Sequence, residues 1–591
     1  MSPKPQLILD IECYKNYFLI MLMSVKTGKT AAFEMYEGKV LAAETIKALL
    51  ARSELITFNG IGYDMPLLSA AFTGANCSEL RTLSDQIIIN DVTPYQFYKN
   101  NCISQYHADH VDLINVAPGI ASLKIYGGRL HANKLQDLPI DPNSLITPEQ
   151  RAELKTYCKN DLETTLLLYK KLEQQINLRR SMSSMYGADL RSKSDAQIAE
   201  TVIVSEVAKR IGCKPPRAKI IQGQFRYTAP AFVSFDTEQL QDALRVATEE
   251  PFTIQKNGKI DMPKALKTLK IKLGTSVYQM GMGGLHSTEK CVTHDAKDGN
   301  LLFDWDVTSY YPSIILNCGL YPIQMGQPFL NVYREIVTER LTAKANGDKV
   351  KADSLKITIN GSFGKLGSPY SALYAPELMV QTTVTGQLAL LMLIEKLEYY
   401  NVPVVSGNTD GIVIKCPISR EKYMKLIIEW WEKQTGFNME CSEYQSLHSK
   451  DVNNYIAVKT NGEVKTKGCF ASDGLQKNPT NSVCVKALIA HLTSAANVEA
   501  EIRGCKDVRQ FLTIRTVKGG AVDSEGQYIG KAVRWYYAKD QAGCISYSTN
   551  GNKVARSDGA KPMMNLGDFP EDIDFEWYIT EANKMVGEVV L

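Results

Sequence analysis

The sequence predicts a multidomain protein of mixed α/β and α+β class, and three observations carry that prediction. The chain has 591 residues, which at roughly 150 residues per domain is about four domains. Hydrophobic residues make up 44% and charged residues 22%, the balance of an ordinary globular protein, which excludes a disordered or fibrous chain. The N-terminal part lays down short strands before helices and closes on one long helix, and a later part returns to strand, helix and hairpin.

Residues 6–10 and 17–25 read as two strands with a short connection. Residues 56–58 are another short apolar run, followed by a Gly-containing turn and a helical pattern, and residues 110–116 read as a further strand. Thr147-Pro-Glu-Gln150 has the form of a capping box with proline at the first helical position. Its helix is expected to run to about residue 176, completing an α/β domain. Residues 177–300 are less regular, interrupted by Pro215-Pro216, Pro230, Pro251 and the Gly-rich Gly281-Met-Gly-Gly284, and pattern assigns them no role. Beyond them come a strand at 301–307, helical segments at 311–317, 329–344 and 351–363, and two apolar runs, 402–406 and 412–416. The last two flank Gly407-Asn-Thr-Asp-Gly411, a hairpin signal. No internal repeat or low-complexity tract is present.

Lys and Arg total 67 against 64 Asp and Glu, a net charge of +3 that says nothing about partners. Its distribution says more. Residues 450–561 hold 17 basic and 10 acidic residues, whereas residues 562–591 hold one basic and seven acidic. A basic region before an acidic tail suggests a polyanion on one surface, with a solvated mixed face as the plainer alternative. The 13 cysteines include no CxxC pair, which argues against a closed zinc site. Their odd number over a long chain reads as reduced thiols and a cytoplasmic location. The longest early apolar run, 17–25, is strand-sized, so neither a signal peptide nor a membrane span is expected.

Two constellations carry chemistry. In the first, Asp10 and Glu12 lie two apart in an apolar strand, so both side chains share a face. Asp64 follows a second apolar run that also contains Asn59, and Tyr157 and Asp161 lie one helical turn apart. Clustered carboxylates repel unless a cation lies between them, and oxygen-only ligands suit Mg²⁺ or Mn²⁺. A pair of such ions activates a water and stabilises the leaving oxygen of a phosphodiester, and a tyrosine hydroxyl would orient that water. Taken singly, an acid pair in a strand or a Tyr-Asp pair on a helix is usually structural. In this order, Asp10/Glu12, Asn59/Asp64 and Tyr157/Asp161 resemble the three motifs of DnaQ-like 3′–5′ proofreading exonucleases, whose fold is RNase H-like.

In the second, Asp306-Val-Thr-Ser-Tyr-Tyr-Pro-Ser-Ile-Ile315, Lys356-Ile-Thr-Ile-Asn-Gly-Ser-Phe-Gly364 and Gly407-Asn-Thr-Asp-Gly411 resemble motifs A, B and C of family B DNA polymerases. The chain is thus similar to a compact, phage-type family B polymerase with an N-terminal exonuclease, over roughly residues 1–175 and 300–470. The resemblance implies an exonuclease domain at 1–176, a connecting region at 177–300, and a right-hand polymerase. Palm segments would lie at 301–330 and 367–450, fingers at 331–366, and thumb with tail at 451–591. It implies template-primer DNA, dNTPs and replication accessory proteins as partners, no membrane, and two Mg²⁺ per active site, with Mn²⁺ as substitute. Asp306, Val307 and Asp410 would hold metal in one site, and Asp10, Glu12, Asp64 and Asp161 in the other. Arg340, Lys344 and Lys356 would line the triphosphate. Tyr311 would stack beneath the incoming sugar, Asn360 and Phe363 would line the nascent base pair, and Ser309 sits at the motif serine. Asn59, Tyr455, Lys467 and Arg534 are the expected DNA contacts. For Arg534, within Arg534-Trp-Tyr-Tyr537, a core strand is the commoner alternative, and for Arg340 and Lys344 a solvated helix face with Glu335 and Glu339 is the alternative.

The chain departs from the family pattern at several positions. Asn408 replaces the first aspartate of motif C, Gly411 its serine, Tyr310 the usual leucine of motif A, and Gly361 the serine of motif B. Asp304, on the strand face of Asp306, either supplies the missing charge or is a partly exposed strand residue. The primer-gripping lysine–tyrosine motif is not clean, Tyr455 with Lys450 behind it and Lys467-Gly468 beyond being the nearest match. Fifty residues separate Asp306 from Lys356, and fifty separate Asn360 from Asp410. That leaves minimal fingers and favours a nucleic-acid primer over a protein one. The alternatives are an exonuclease with a degenerate polymerase half, a primer-independent or protein-primed polymerase, and a non-catalytic DNA-binding scaffold.

Overall fold

The structure is a computed structural model that describes residues 4–471, 474–539 and 543–589. The chain divides into two units. The first is built from Met1–Ser194, Asp473–Cys484 and Ile502–Ile579. Its five-stranded sheet runs in the order Thr30–Tyr36, Tyr17–Ser24, Gln6–Cys13, Glu54–Thr57, Asp109–Asp112. Tyr17–Ser24 runs antiparallel to both of its neighbours, and the last two strands run parallel to Gln6–Cys13. Alternation along Gln6–Cys13 sorts its side chains. Leu9, Ile11 and Cys13 enter a core with the helices Ala43–Ala51 and Asp64–Phe72. Ile8 faces the other way, into a core with Leu154, Cys158 and Leu162 of the helix Pro148–Lys171. Asp10 and Glu12 share the Ile8 face, so they point toward that long helix.

The capping box is as the sequence predicts: the Gln150 amide donates to Thr147 Oγ1 and the Thr147 amide to Gln150 Oε1. The helix stops at Lys171, and a second helix, Glu173–Tyr186, follows. The strand expected over 110–116 ends at Asp112, because the Ile114 amide turns back to donate to the Asp112 carboxylate at 3.1 Å. A four-stranded sheet, Ser546–Tyr547, Thr513–Val522, Tyr528–Tyr537 and Ala560–Pro562, completes this unit.

The second unit comprises Asp195–Ser472, Val485–Glu501 and Thr580–Leu591. Its ten-stranded sheet places Asn300–Val307 between Gly411–Pro417 and Met439–Asp451. Beyond Gly411–Pro417 lie Val404–Asn408, Leu285–Ser287, Ser276–Met280 and Lys270–Leu273; beyond Met439–Asp451 lie Asn454–Lys459 and Val464–Thr466. Phe303, Ile412 and Ile414 enter one core with the helices Pro376–Tyr399 and Glu421–Thr435. A separate helical core joins Pro328–Ala345, Lys349–Leu366 and Asp195–Ile211.

Several expectations are corrected here. Part of the unassigned 177–300 stretch supplies strands to the large sheet and the helix Asp195–Ile211. A Cβ at Gly361 would meet Asp195 O at 2.6 Å, so close helix packing leaves no room for the family's serine. Residues 177–194 belong with the first unit, and 451–591, expected as one thumb with its tail, is divided between both units. Among the described residues one helix, Pro376–Tyr399, is long and apolar enough to cross a membrane, against expectation, and most of it is buried in the protein core.

Candidate active sites

In the first unit the acids converge as the sequence predicts. Asp10 and Glu12 are half-buried on their strand, Asp64 opens the helix Asp64–Phe72, and Tyr157 and Asp161 project from the long helix. Asp64 and Asp161 are buried. The turn before Asp64 is organised by buried Asp112, whose carboxylate accepts from the amides of Asn59 at 2.8 Å and Ile61 at 2.9 Å. Asn59 itself is exposed, with a φ of 65°. Burial, then the charge of Asp161, pushes the Asp10 carboxyl up to about 7. Burial and neighbouring carboxylates also raise Glu12 and Asp64.

The sequence reading missed two residues here. Lys124 donates to Asp161 Oδ1 at 2.9 Å, to Oδ2 at 2.7 Å, and to the Tyr157 hydroxyl. Cys158 Sγ donates to Asp10 Oδ2 at 3.2 Å, burial raises its thiol, and with Asp10 and Glu12 it forms a group close enough to hold a metal ion. Cys158 fills an unspecified position between Tyr157 and Asp161, and Lys124 lies in no matched motif and has no sequence signal. The donor set fits a hard divalent cation: it is oxygen-rich, its acids repel one another, and buried Asp64 Oδ1 has no hydrogen-bond partner among the described residues.

In the second unit the strand register does the assembling. Asp306 stands directly opposite Gly411, and Asn408 pairs Gly411 across a two-residue turn, Thr409-Asp410. Thr409 takes a φ of 59°, and the Val307 amide donates to the Asp410 carbonyl at 2.7 Å. Asp304, Asp306, Asp410, Tyr455, Lys465 and Lys467 therefore line one cavity of about 290 Å³. Burial, then the Asp304 charge, lifts the Asp306 carboxyl to about 6, and burial raises Asp410. These raised acids fit a divalent cation by the same reasoning. The Val307 side chain is buried, which leaves only its backbone for the expected metal role.

The departures from the motif pattern have local causes. Asn408 Nδ2 donates to the Val452 carbonyl at 3.0 Å, so it ties the turn to the backbone. A Cβ at Gly411 would lie 2.1 Å from Asp306 Oδ1, so the aspartate leans over space that serine would take. Gly281–Gly284 is a hairpin loop beside the turn; Gly284 has a φ of 152° and a Cβ there would meet Thr409 at 2.9 Å. Buried Tyr310 donates its hydroxyl to Gly386 O at 2.5 Å. Asp304 is not the partly exposed residue expected: it is buried, and its Oδ2 accepts from Lys465 at 2.9 Å and from the Tyr444 hydroxyl. Lys465 and Tyr444 went unnoticed; the one available signal was Lys465 two residues before Lys467.

Arg340 Nη1 donates to Ser309 Oγ at 2.9 Å, bringing a cation to the end of the acid strand. Tyr311 and Phe363 rings stand 4.3 Å apart, and the Tyr311 hydroxyl donates to Gly283 O. Lys356 and Asn360 are exposed one turn apart on their helix, and Lys344 reaches Glu440 at 3.5 Å. Of the acids expected beside Arg340 and Lys344, Glu335 pairs with Arg210 and Glu339 with Lys351. Lys467 is exposed, its Nζ 5.9 Å from the Tyr455 ring, whereas Lys450 is paired with Glu588. Arg534 is not a surface DNA contact. It is fully buried and donates to the carbonyls of Ala132, Asn133, Met563 and Met564, within the first unit.

Comparison with known proteins places sequence relatives among DNA polymerases. The chain is 25% identical to DNA polymerase 1 of Aeropyrum pernix over 162 residues, 27% of this chain and 17% of the relative. It is 33% identical over 89 residues to a DNA polymerase of Pyramimonas orientalis virus, 15% of this chain and 7% of that one. Over 65 residues it is 37% identical to the DNA polymerase alpha catalytic subunit of Xenopus laevis, 11% of this chain and 4% of that subunit. These matches thus span less than a fifth of the relatives' own length. A family B DNA polymerase structure from Pyrobaculum calidifontis aligns over 99% of this chain and 78% of its own, at 14% identity and a TM-score of 0.42. No protein-family model matches the chain.

Proposed function

We propose that the chain is a template-dependent DNA polymerase that extends a primer 3′ end with dNTPs, and that its first unit is a 3′–5′ proofreading exonuclease. The observation that carries the polymerase half is the register that sets Asp306 opposite Gly411, so that Asp306 and Asp410 meet in one cavity with two lysines. Short matches to DNA polymerases from an archaeon, a virus and a vertebrate support the same assignment.

Asp306, Asp410 and the Val307 backbone would hold the cations of one site, and Asp10, Glu12, Asp64 and Asp161 those of the other. Bound Mg²⁺ supplies acidification of the attacking hydroxyl or water and stabilisation of the leaving oxygen. The remaining work falls to side chains. Arg340, Lys344 and Lys356 neutralise the triphosphate; Tyr311, stacked near Phe363, supports the sugar, with Asn360 and Phe363 beside the base pair. Lys467 and Tyr455 grip primer backbone through charge and apolar contact, without base readout. In the exonuclease, Lys124 fixes the Tyr157 hydroxyl and Asp161 together, which orients that hydroxyl toward the attacking water. Asn59, exposed on its turn, faces the strand being trimmed.

A pair of variants tests both halves. Asp410→Ala abolishes primer extension, a loss of at least 10³-fold on the scale of removing a metal-holding carboxylate, and leaves single-strand degradation unchanged. Asp10→Ala with Glu12→Ala does the reverse. Extension by the Asp410 variant at the parental rate overturns the metal assignment. A parental protein that degrades strands but makes nothing longer than the primer identifies instead an exonuclease with an inactive polymerase half.

A further inference from the structure

Lys465 has a place in the second site that no matched motif accounts for. Its ammonium lies 2.9 Å from Asp304 Oδ2 and 3.8 Å from Asp306 Oδ2. Asp304 is buried, and the same Oδ2 accepts from the Tyr444 hydroxyl. The Tyr444 ring lies 6.0 Å from the ammonium. Asp304 and Asp306 are alternate residues of one strand, so both point to one face, and Val464–Thr466 delivers Lys465 to that face from the sheet edge. The two Asp306 oxygens thus have different surroundings. Oδ1 leans over Gly411, beside the Asp410 turn, and Oδ2 faces Lys465.

We propose that Lys465 is a positioning residue for the nucleotidyl-transfer site, a fixed cation anchored by Asp304 and Tyr444 that sets the rotation of the Asp306 carboxylate so that Oδ1 turns toward Asp410. A lysine stem is flexible and its ammonium does not hold one geometry unaided. A buried, hydrogen-bonded carboxylate behind it supplies that geometry, and it is stable there only because the ammonium is present. Asp304 therefore does not stand in for the carboxylate missing at Asn408. It serves the cation that aims Asp306.

The proposal rests on the polymerase assignment, and its test separates the two. Removing Lys465 alone leaves Asp304 buried with the Tyr444 hydroxyl but without its cation, so the informative variant is Asp304→Asn with Lys465→Gln, which removes one charge of each sign. Binding of Mn²⁺ alone is followed by electron paramagnetic resonance in a background carrying Asp10→Ala and Glu12→Ala, which silences the other site. Positioning predicts Mn²⁺ binding at least 5-fold weaker and kcat for extension at least 10-fold lower, with KM for primer and dNTP within 2-fold. Lys465→Arg returns both readouts to within 3-fold of the parent. A double variant that melts lower yet keeps parental Mn²⁺ affinity and kcat assigns the network to stability alone and overturns the proposal. If the parental protein extends no primer, the polymerase assignment fails, and the Mn²⁺ measurement still decides whether Lys465 orients Asp306.

Discussion

Single side chains show most directly how burial decides role. Asp10 has its carboxyl lifted from 3.8 to about 7. A raised folded-state value means the proton is held more tightly in the folded chain than in the unfolded one. The associated stability is complete below about pH 4 and lost as pH rises through 7. In EDTA at pH 8, Asp10→Asn should therefore melt higher than the parent, by about 3 °C or more, and the two should coincide at pH 4; a lower melting point at pH 8 removes the electrostatic account of this cluster. Arg534 makes the opposite point. The sequence shows a cation among aromatics, a pattern shared by a nucleic-acid contact and a core strand. Only the carbonyls of Ala132, Asn133, Met563 and Met564 decide between them, and they are remote in sequence. Arg534→Met should destabilise the first unit by about 3 kcal/mol through orphaned carbonyls, and the salt dependence of DNA binding at fixed fold should not move.

At the scale of elements, what was legible is what is local. The capping box at Thr147 uses residues three apart, and Thr147→Ala should cost the first unit about 1 kcal/mol in urea unfolding. The hairpin at Gly407–Gly411, the strand ending at Val307 and the spacing of both acid sets were readable for the same reason. Illegible were features set by a partner strand or helix: the early end of Asp109–Asp112, the break after Lys171, and the anchoring of Lys465 by a carboxylate 161 positions away. The Gly281–Gly284 hairpin belongs to this class. Its sequence announces a turn, yet its contact with Thr409 depends on the pairing of His286 with Asn408. Gly284→Ala pushes on Thr409 and so on the Asp410 turn; primer extension should fall about tenfold, the cost of roughly 1–3 kcal/mol of backbone strain, and exonuclease rate should hold.

Over the whole molecule, the sequence suggested domains in series, and the chain instead crosses between its two units repeatedly. Composition and local period carry no record of such crossings. Within the first unit, Gly128 packs where a Cβ would meet Ile514 at 2.8 Å, and Arg129 donates to Asn478 and to Leu475 O. A fragment of residues 1–176, the expected exonuclease domain, therefore lacks part of its own wall; it should be aggregation-prone and unfold with low cooperativity by calorimetry, whereas a sharp, reversible melt would mean the later segments are dispensable. The same interleaving governs events at the ribosome. The N-terminal sheet emerges early, but Arg534 follows 340 residues after Ser194, the last residue before the first crossing. At 5–20 residues per second that is a wait of about 20–70 s, during which apolar surface around Gly128 and Arg129 stays open to chaperones, and the first unit completes its own wall only when synthesis of the second is almost finished.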